Sequence, residues 1–323
     1  MPEVIAVIGA SGYIGRHLVL ALTQVSYRIK VLSRNVSGKP HNVAWPAGIE
    51  VIQGSLNDPA SLLVFFEEGC TVINLAYLWD AGEMANLSAT SNMLCACKQA
   101  KVKRLIHCST AAVVGRVPDN QISESTVCRP ITEYGITKLK IEQMILDSGG
   151  WEGGTAILRP TAVFGPGGEP LKKLTNDLLN GSRIRNYLKS CLFGRRRMNL
   201  VHIANVVEAI QFLIKRPERL ENELFIVSDD GDPKNNYLET EQFLMSFFGC
   251  QHYVLPRIML PFGILSLLLR FLGRNNINPR CNFDSNKLHK LGFNSPVNLS
   301  EGLAEYASWY RASHPGGEEA KPS

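Results

Sequence analysis

The feature that most constrains this chain is a rhythm. Six short β-branched runs ("VIAVIG", "RIKVLS", "IEVIQG", "TVINLA", "RLIHCST" and "TAILRP") alternate with amphipathic stretches near residues 13–25, 59–68, 84–100 and 132–147. Strands joined through helices pair in parallel, so the pattern predicts a doubly wound parallel α/β sheet covered on both faces. The helix at 59 has a start signal, Asp58 as cap and Pro59 at its first position. From "FGPGGEP" at 164–170 the rhythm breaks into Lys- and Arg-rich stretches. We expect a main domain over 1–165 and a smaller, interleaved one over 166–323. The strand near 224–229 should return to the main sheet, and the tail "HPGGEEAKPS" should be disordered.

The first strand ends in "GASGYIG", with glycines at 9, 12 and 15. Gly9 permits a tight turn, Gly12 lets the backbone approach a pyrophosphate, and Gly15 allows close helix–strand packing. The helix N-terminus that follows suits phosphate charge. The second strand ends "VLSRN". An NAD site commonly places an acidic residue there for the ribose hydroxyls. Ser33 and Arg34 stand in its place and fit a 2′-phosphate, so NADP is favoured and NAD is the alternative.

Composition narrows the class. The chain has 323 residues, 45% hydrophobic and 20% charged, with a formal net charge of +5. That surplus suits an anionic ligand or a weak attraction to anionic lipid, and is too small to argue for nucleic acid. Eight cysteines show no metal-ligand spacing and are expected to be reduced in a cytoplasmic protein. The longest apolar stretch, "IMLPFGILSLLLRFL" at 258–272, holds a proline and an arginine. A spanning helix needs about 20 apolar residues, so we expect no transmembrane segment. A buried helix of the small domain is the favoured reading of 258–272, and a membrane-surface helix the alternative.

Catalysis is suggested by "YGITK", which puts Tyr134 and Lys138 on one helical face. A phenol near pKa 10 is a poor base at neutral pH. A neighbouring ammonium is expected to lower that pKa, and the same lysine can hold a nicotinamide ribose. The fifth strand ends "HCSTAAVVG", where Thr110 can donate a hydrogen bond to a substrate oxygen and Ser109 is the nearby alternative.

With these residues in view, the chain resembles the extended short-chain dehydrogenase/reductases, the group of UDP-galactose 4-epimerase and nucleotide-sugar dehydratases and reductases. The likeness runs through "GASGYIG", "GSLND", "STAAVVG", "YGITK", "LRPTAVFGPG", "LVHIANVVEA" and the closing "LGFNSPVNLSEGLAEYASWY". It implies Tyr134 as proton-transfer residue, Lys138 as its electrostatic partner and Thr110 as the substrate-orienting hydroxyl. It implies a cofactor set of Gly9, Ser11, Gly12, Tyr13, Ile14 and Gly15 from the first turn, and Ser33, Arg34, Ser55, Leu56 and Ala76 from the next strands. Tyr134, Lys138, Pro160 and Val163 complete that set. Asn86 and Arg197 are candidate substrate-side residues, with Asn86 more a support of the site than a chemical group. A small-molecule substrate, a nucleotide-linked sugar, and a homodimer built on the helices at 84–100 and 132–147 are implied as well.

Three positions depart from the family pattern. Ser55 stands where an adenine-contacting Asp is common, Ala162 replaces an Asn that touches nucleotide-sugar diphosphates, and Asn205 replaces an Asp. Ala162 leaves room for a small apolar ketone or a hydroxysteroid- or flavonol-like alcohol. Dehydration is disfavoured, because Thr110 is followed by Ala111 and Ala112, which neither give nor take a proton. His202 is expected to be a packed histidine. The Arg195–Arg197 run is either a solvated face or a diphosphate clamp. A hydride-transfer enzyme is preferred to a non-catalytic NADP-binding regulator, because a sensor needs no phenolate base.

Overall fold

The fold is that of a computed structural model, which describes residues 2–34, 45–271 and 277–314. In chain order the first elements are β1 (Val4–Ile8), α1 (Tyr13–Leu22), β2 (Arg28–Ser33), β3 (Ile49–Gln53), α2 (Pro59–Phe65), β4 (Thr71–Asn74), α3 (Gly82–Gln99) and β5 (Arg104–Cys108). There follow β6 (Gln121–Ile122), α4 (Glu133–Ser148), β7 (Gly154–Pro160), β8 (Ala162–Phe164), α5 (Lys172–Asn180), α6 (Arg183–Phe193), β9 (Leu200–His202) and α7 (Ile203–Lys215). The chain closes with β10 (Leu220–Val227), α8 (Tyr237–Phe247), α9 (Phe262–Phe271), β11 (Asn282–Phe283), α10 (Asn286–Lys290) and α11 (Leu299–Ser313). Asp58 caps α2 as its sequence predicts, accepting from the Ala60 N–H at 3.1 Å.

The chain divides into two compact units. The first comprises residues 1–115, 128–160 and 206–225, and the second comprises 116–127, 161–205 and 226–323. Residues 315–323, which hold most of the tail expected to be disordered, lie outside the described residues.

The first unit is built on a seven-stranded sheet in the order β10-β7-β5-β4-β1-β2-β3, parallel at each pairing from β3 across to β7. The chain runs outward from β1 through β2 to β3, then returns to β4 on the other side of β1. That reversal opens a crevice at the C-terminal ends of β1 and β4, where ligands of open α/β sheets bind. β4, β5 and β7 are buried along their whole length, as expected of strands covered on both faces. Phe65, Met93, Leu105 and Ile157 anchor the core against α2, α3 and α4.

Two buried cations fix elements that carry the site. Arg104, at the start of β5, donates to the carbonyls of Gly153, Leu213, Ile214 and Glu218. Arg159 of β7 forms a forked pair with Glu142 of α4, Nη2 to Oε2 at 2.5 Å and Nε to Oε1 at 3.0 Å, with both side chains almost fully buried. A fork of this kind sets the register of α4 on the sheet more than it adds net stability.

In the second unit, β8 pairs with β9 and β6 with β11, both in parallel. Phe164, Leu200, Leu244, Leu303 and Tyr306 form its core. His202 is fully buried, edge-on to Phe164 at 5.3 Å and packed against Gly302, the packed role expected of it. Asn205 bonds to Asp229 and to both backbone groups of Val297. α9 corrects one expectation. The 258–272 stretch is only partly a buried helix: Leu265 and Leu269 are buried, whereas Ile264, Leu267 and Phe271 are exposed. Among the described residues no helix is long and apolar enough to cross a membrane.

Candidate active site

The glycine turn is a steric construction. Gly9 has φ +79°, and a Cβ there would lie 2.8 Å from the Ala76 nitrogen of the neighbouring segment. A Cβ on Gly15 would lie 2.3 Å from the Gly9 carbonyl oxygen and 2.6 Å from that of Ala10. Both glycines are therefore demanded by backbone packing. Gly12 is different: its φ is −72°, and a Cβ would meet only the Gly9 oxygen, at 3.3 Å. Backbone packing therefore does not demand a glycine there as it does at the other two positions. No side chain caps α1, which begins just after Gly12.

These residues open onto a cavity of about 630 Å³ lined within the first unit. Gly9, Ser11, Gly12, Tyr13, Ile14 and Gly15 line it, as do Ser33, Arg34, Ser55, Leu56 and Ala76. Tyr134 and Lys138 lie on the same wall system. Pro160 ends β7 as a buried residue and does not line the cavity. Val163 sits in β8, in the second unit. Arg197 is also in the second unit, where its guanidinium donates to the carbonyls of Asp230, Asp232 and Pro233.

No carboxylate lines the cavity among the described residues, and its two cations are Arg34 and Lys138. A dinucleotide fits this setting. Gly12 leaves its backbone uncovered at an uncapped helix N-terminus, which suits a pyrophosphate, and Arg34 stands at the end of β2, where the adenosine ribose would be held.

The second half of the site is an arrangement of side chains. Thr132 caps α4 by accepting from the Gly135 N–H at 3.2 Å. A Cβ on Gly135 would lie 2.9 Å from the Ala112 carbonyl oxygen, so the turn after β5 presses closely on the start of α4. Thr110 opens that turn, accepting from the Ala112 N–H at 3.1 Å, and its hydroxyl is near enough to the Tyr134 phenol to favour the phenolate. Ser109 is buried beside it in the cavity wall, and its Oγ has no hydrogen-bond partner among the described residues.

One turn along α4 from Tyr134, Lys138 is buried. Its Nζ donates to the Cys108 carbonyl at 2.8 Å and lies 3.3 Å from His107 Nε2 and 5.9 Å from the centre of the Tyr77 ring.

The electrostatics reverse one expectation. Tyr134 is pushed up to about 12, first by burial and then by repulsion from Cys108, against an opposing pull from the nearby Thr110 hydroxyl. The ammonium expected to lower it is turned to Cys108 and His107, and is itself brought down to about 8 by burial. Desolvation disfavours the charged form of each group and is the largest cause of both shifts. His107, buried next to Lys138, is held well below the ordinary histidine range by burial and by the ammonium.

Aromatic residues of the segment after β4 enclose the phenol. Trp79 stacks on Tyr134 with centroids 4.9 Å apart and planes 17° apart, and Tyr77 meets it edge-on at 4.9 Å. Asn86 holds this segment: it accepts from the Leu78 N–H and donates to the carbonyls of Leu78 and Gly82. Its amide is thus engaged with backbone, the supporting role. Sequence reasoning missed Tyr77, Trp79, Trp45 and His107, all except His107 in the cavity wall. "AYLWD" directly after a buried strand was the available signal for two of them.

A glycine turn and a Tyr–Lys pair on one Rossmann-type crevice are the marks of the extended short-chain dehydrogenase/reductase class. Residues 5–228 match the NAD dependent epimerase/dehydratase family, and the chain belongs to it. The chain is 30% identical over 221 residues to a 4-hydroxy-2-methyl-3-oxo-4-farnesyl-3,4-dihydroquinoline-1-oxide ketoreductase of Stigmatella aurantiaca, covering 65% of this chain and 64% of that protein. It therefore spans just under two thirds of that relative's length. It is 26% identical to an N-acetyl-alpha-D-glucosaminyl-diphospho-ditrans,octacis-undecaprenol 4-epimerase of Escherichia coli O157:H7, over 94% of each chain. Among solved structures, Bordetella bronchiseptica WbmG in complex with NAD and UDP superposes with a TM-score of 0.75 at 19% identity, covering 100% of this chain and 99% of that one.

Proposed function

We propose that this chain transfers a hydride at a single secondary alcohol or ketone carbon, C4 of a nucleotide-linked sugar, as a 4-epimerase or 4-ketoreductase. The observation that carries the reading is the placement of Tyr134 and Lys138, one helical turn apart on α4, in the wall of the cavity that the glycine turn opens onto. The dinucleotide, when bound, supplies or accepts the hydride. Tyr134 carries the proton to or from the substrate oxygen, and Thr110 orients that oxygen. Lys138, one turn along α4 and turned to the Cys108 carbonyl, is the residue that would hold the nicotinamide ribose. A phenol held to about 12 is protonated across the neutral range, which suits it first to giving a proton to a carbonyl oxygen. Ala111 and Ala112 supply no acid or base for elimination, which supports simple hydride exchange.

NADP is the proposed cofactor. Arg34 in a cavity wall without carboxylates supports it, since an acidic residue at that place would repel a 2′-phosphate. A second reading, reduction of a small apolar ketone, is favoured by the Tyr77–Trp79 surround of the phenol and by Ala162. A substrate panel distinguishes the two. NADPH and NAD are each offered UDP-, GDP- and dTDP-sugars and a series of apolar ketones, with the nicotinamide absorbance and the sugar stereochemistry followed together. Conversion of a nucleotide sugar at C4 supports the first reading. NADPH oxidation by apolar ketones alone overturns it in favour of the second.

A further inference from the structure

The second unit carries a surface that the chemistry above does not use. Between Asp177 and Glu208, and again between Glu241 and Asp284, the sequence has no acidic residue. Those two stretches hold ten Lys and Arg, more than the whole chain's net charge of +5. The structure brings the two stretches together. Arg183 of α6 donates to the Gln251 side chain and the His252 carbonyl, Tyr187 Oη donates to the Pro256 carbonyl at 2.9 Å, and the Leu260 N–H donates to the Cys191 carbonyl. A Cβ on Gly194, just past α6, would lie 2.6 Å from Met259 Sδ, so the join is close-packed.

On this joined surface the outward side chains are apolar. Val254 is 90% exposed and Ile258 79%, and Ile184 of α6 is 74% exposed. α9 continues the pattern. Leu265 and Leu269, one turn apart, are buried, whereas Ile264, Leu267 and Phe271, spaced three and four residues apart, lie on another face and are exposed, Phe271 to 81%. Single exposed apolar residues need no explanation, but several on the joined α6 and 251–261 segments, with three more on the helix that follows, do. Arg183, Arg185 and Arg270 are exposed within the same elements.

We propose that α6, the 251–261 segment and α9 form a docking face for the surface of an anionic lipid bilayer. Apolar side chains on a short helix, too short to span, enter the headgroup and acyl boundary while basic residues meet lipid phosphates. The charge decides between this occupant and a second copy of the chain. Arg185 and Lys189 pair with Asp177 and Arg257 lies 3.6 Å from Glu241, so the charge that a two-fold contact would bring near its own copy is chiefly that of the exposed Arg183 and Arg270. A bilayer containing anionic lipid supplies the missing sign. The inference rests on this surface alone and stands whichever substrate the first unit takes.

The test is co-sedimentation of the full chain with two kinds of vesicle, one of phosphatidylcholine and one of equimolar phosphatidylcholine and phosphatidylglycerol. The chain should bind the anionic vesicles at least about tenfold better, and the excess should fall as salt is raised. Ile264→Ser combined with Leu267→Ser and Phe271→Ser should reduce binding by roughly tenfold or more, with the unfolding midpoint unchanged because these side chains are exposed. Val254→Ser with Ile258→Ser is the second variant, should the first not fold, and carries the same expectation. Arg270→Gln should lower binding to anionic vesicles by about fivefold and leave phosphatidylcholine binding unchanged. Absence of binding to anionic vesicles overturns the proposal. So does binding that the serine variants leave intact, or a dimer in vesicle-free solution that those variants dissolve, which would make the face a self-interface.

Discussion

The two halves of the cavity are held in different ways. The glycine turn at 9–15 is fixed by backbone atoms: carbonyls and amides approach so closely that a single added methyl group at Gly9 or Gly15 has no room. The Tyr134 half is fixed by side chains, with one ring stacked on another and an ammonium on a carbonyl. The first half cannot move without unfolding. The second stores its chemistry in charge states that burial controls. A spacing rule therefore describes the turn well and describes the electrostatics of the phenol poorly.

The sharpest way to break this comparison is within the turn itself. Gly15→Ala places a methyl 2.3 Å from a backbone oxygen, so the variant should lose about 3 kcal/mol or more of stability, or fail to fold, in a denaturant titration. Gly12→Ala should unfold within about 1 kcal/mol of the parent, because its φ of −72° suits alanine and its only close neighbour lies at 3.3 Å. The same variant should lose dinucleotide affinity by roughly tenfold or more, since its methyl projects where the pyrophosphate approaches. Equal stability losses at the two positions would erase the distinction between a glycine the fold needs and one the ligand needs.

The side-chain half is sharpened by pH. Lys138 falls from its ordinary 10.5 to about 8 in the folded chain. Between those values the unfolded state holds the proton and the folded state does not, so this group's contribution to stability rises as pH rises from about 8 to 10.5. Below pH 8 the buried ammonium is a cost that the unfolded chain does not bear. The stability of wild type minus that of Lys138→Met, from paired urea titrations, should therefore climb by about 3 kcal/mol over that window. Tyr134 acts in the opposite sense above pH 10, where its raised pKa keeps a proton that the unfolded chain has lost. Both chains contain it, so it cancels from the difference. A flat difference would mean that Lys138 is not desolvated as its burial implies.

The smallest expected effect tests the ribose end of the cavity. Arg34→Ala should remove most of the preference for NADPH over NADH. A charge-assisted bond contributes about 1.5–3 kcal/mol, so the change in relative affinity should be roughly tenfold to a hundredfold. Equal affinities in the wild type would defeat the argument from Ser33 and Arg34.

Much of the fold was legible because its signals are local. Strand–helix alternation, the Asp58–Pro59 start and the glycine spacing each report a constraint that neighbouring residues impose on one another. The seven-stranded order follows from such units with few choices. The placement of Tyr134 and Lys138 one turn apart on a helix was legible too, through their spacing. The direction of the Tyr134 shift was not, because the sequence places Lys138 one helical turn away but does not say that its ammonium turns to Cys108. Trp79 was missed because stacking on Tyr134 links two segments more than fifty residues apart in sequence. α9 was half misjudged for a related reason. An apolar run reports the tendency to leave water, and in this chain one face of the helix finds the core while the other does not.

The central claim is that Tyr134 moves the proton in a site whose nucleotide half is independent of it. Tyr134→Phe removes one oxygen and keeps the ring that Trp79 stacks on. Single-turnover reduction of the substrate identified by the panel should slow by about 10² to 10⁴, the usual effect of losing a general acid. Dinucleotide affinity, followed by tryptophan fluorescence in the same samples, should stay within about threefold. Turnover within a few-fold of wild type would contradict the account, as would a loss of dinucleotide affinity as large as the loss of rate.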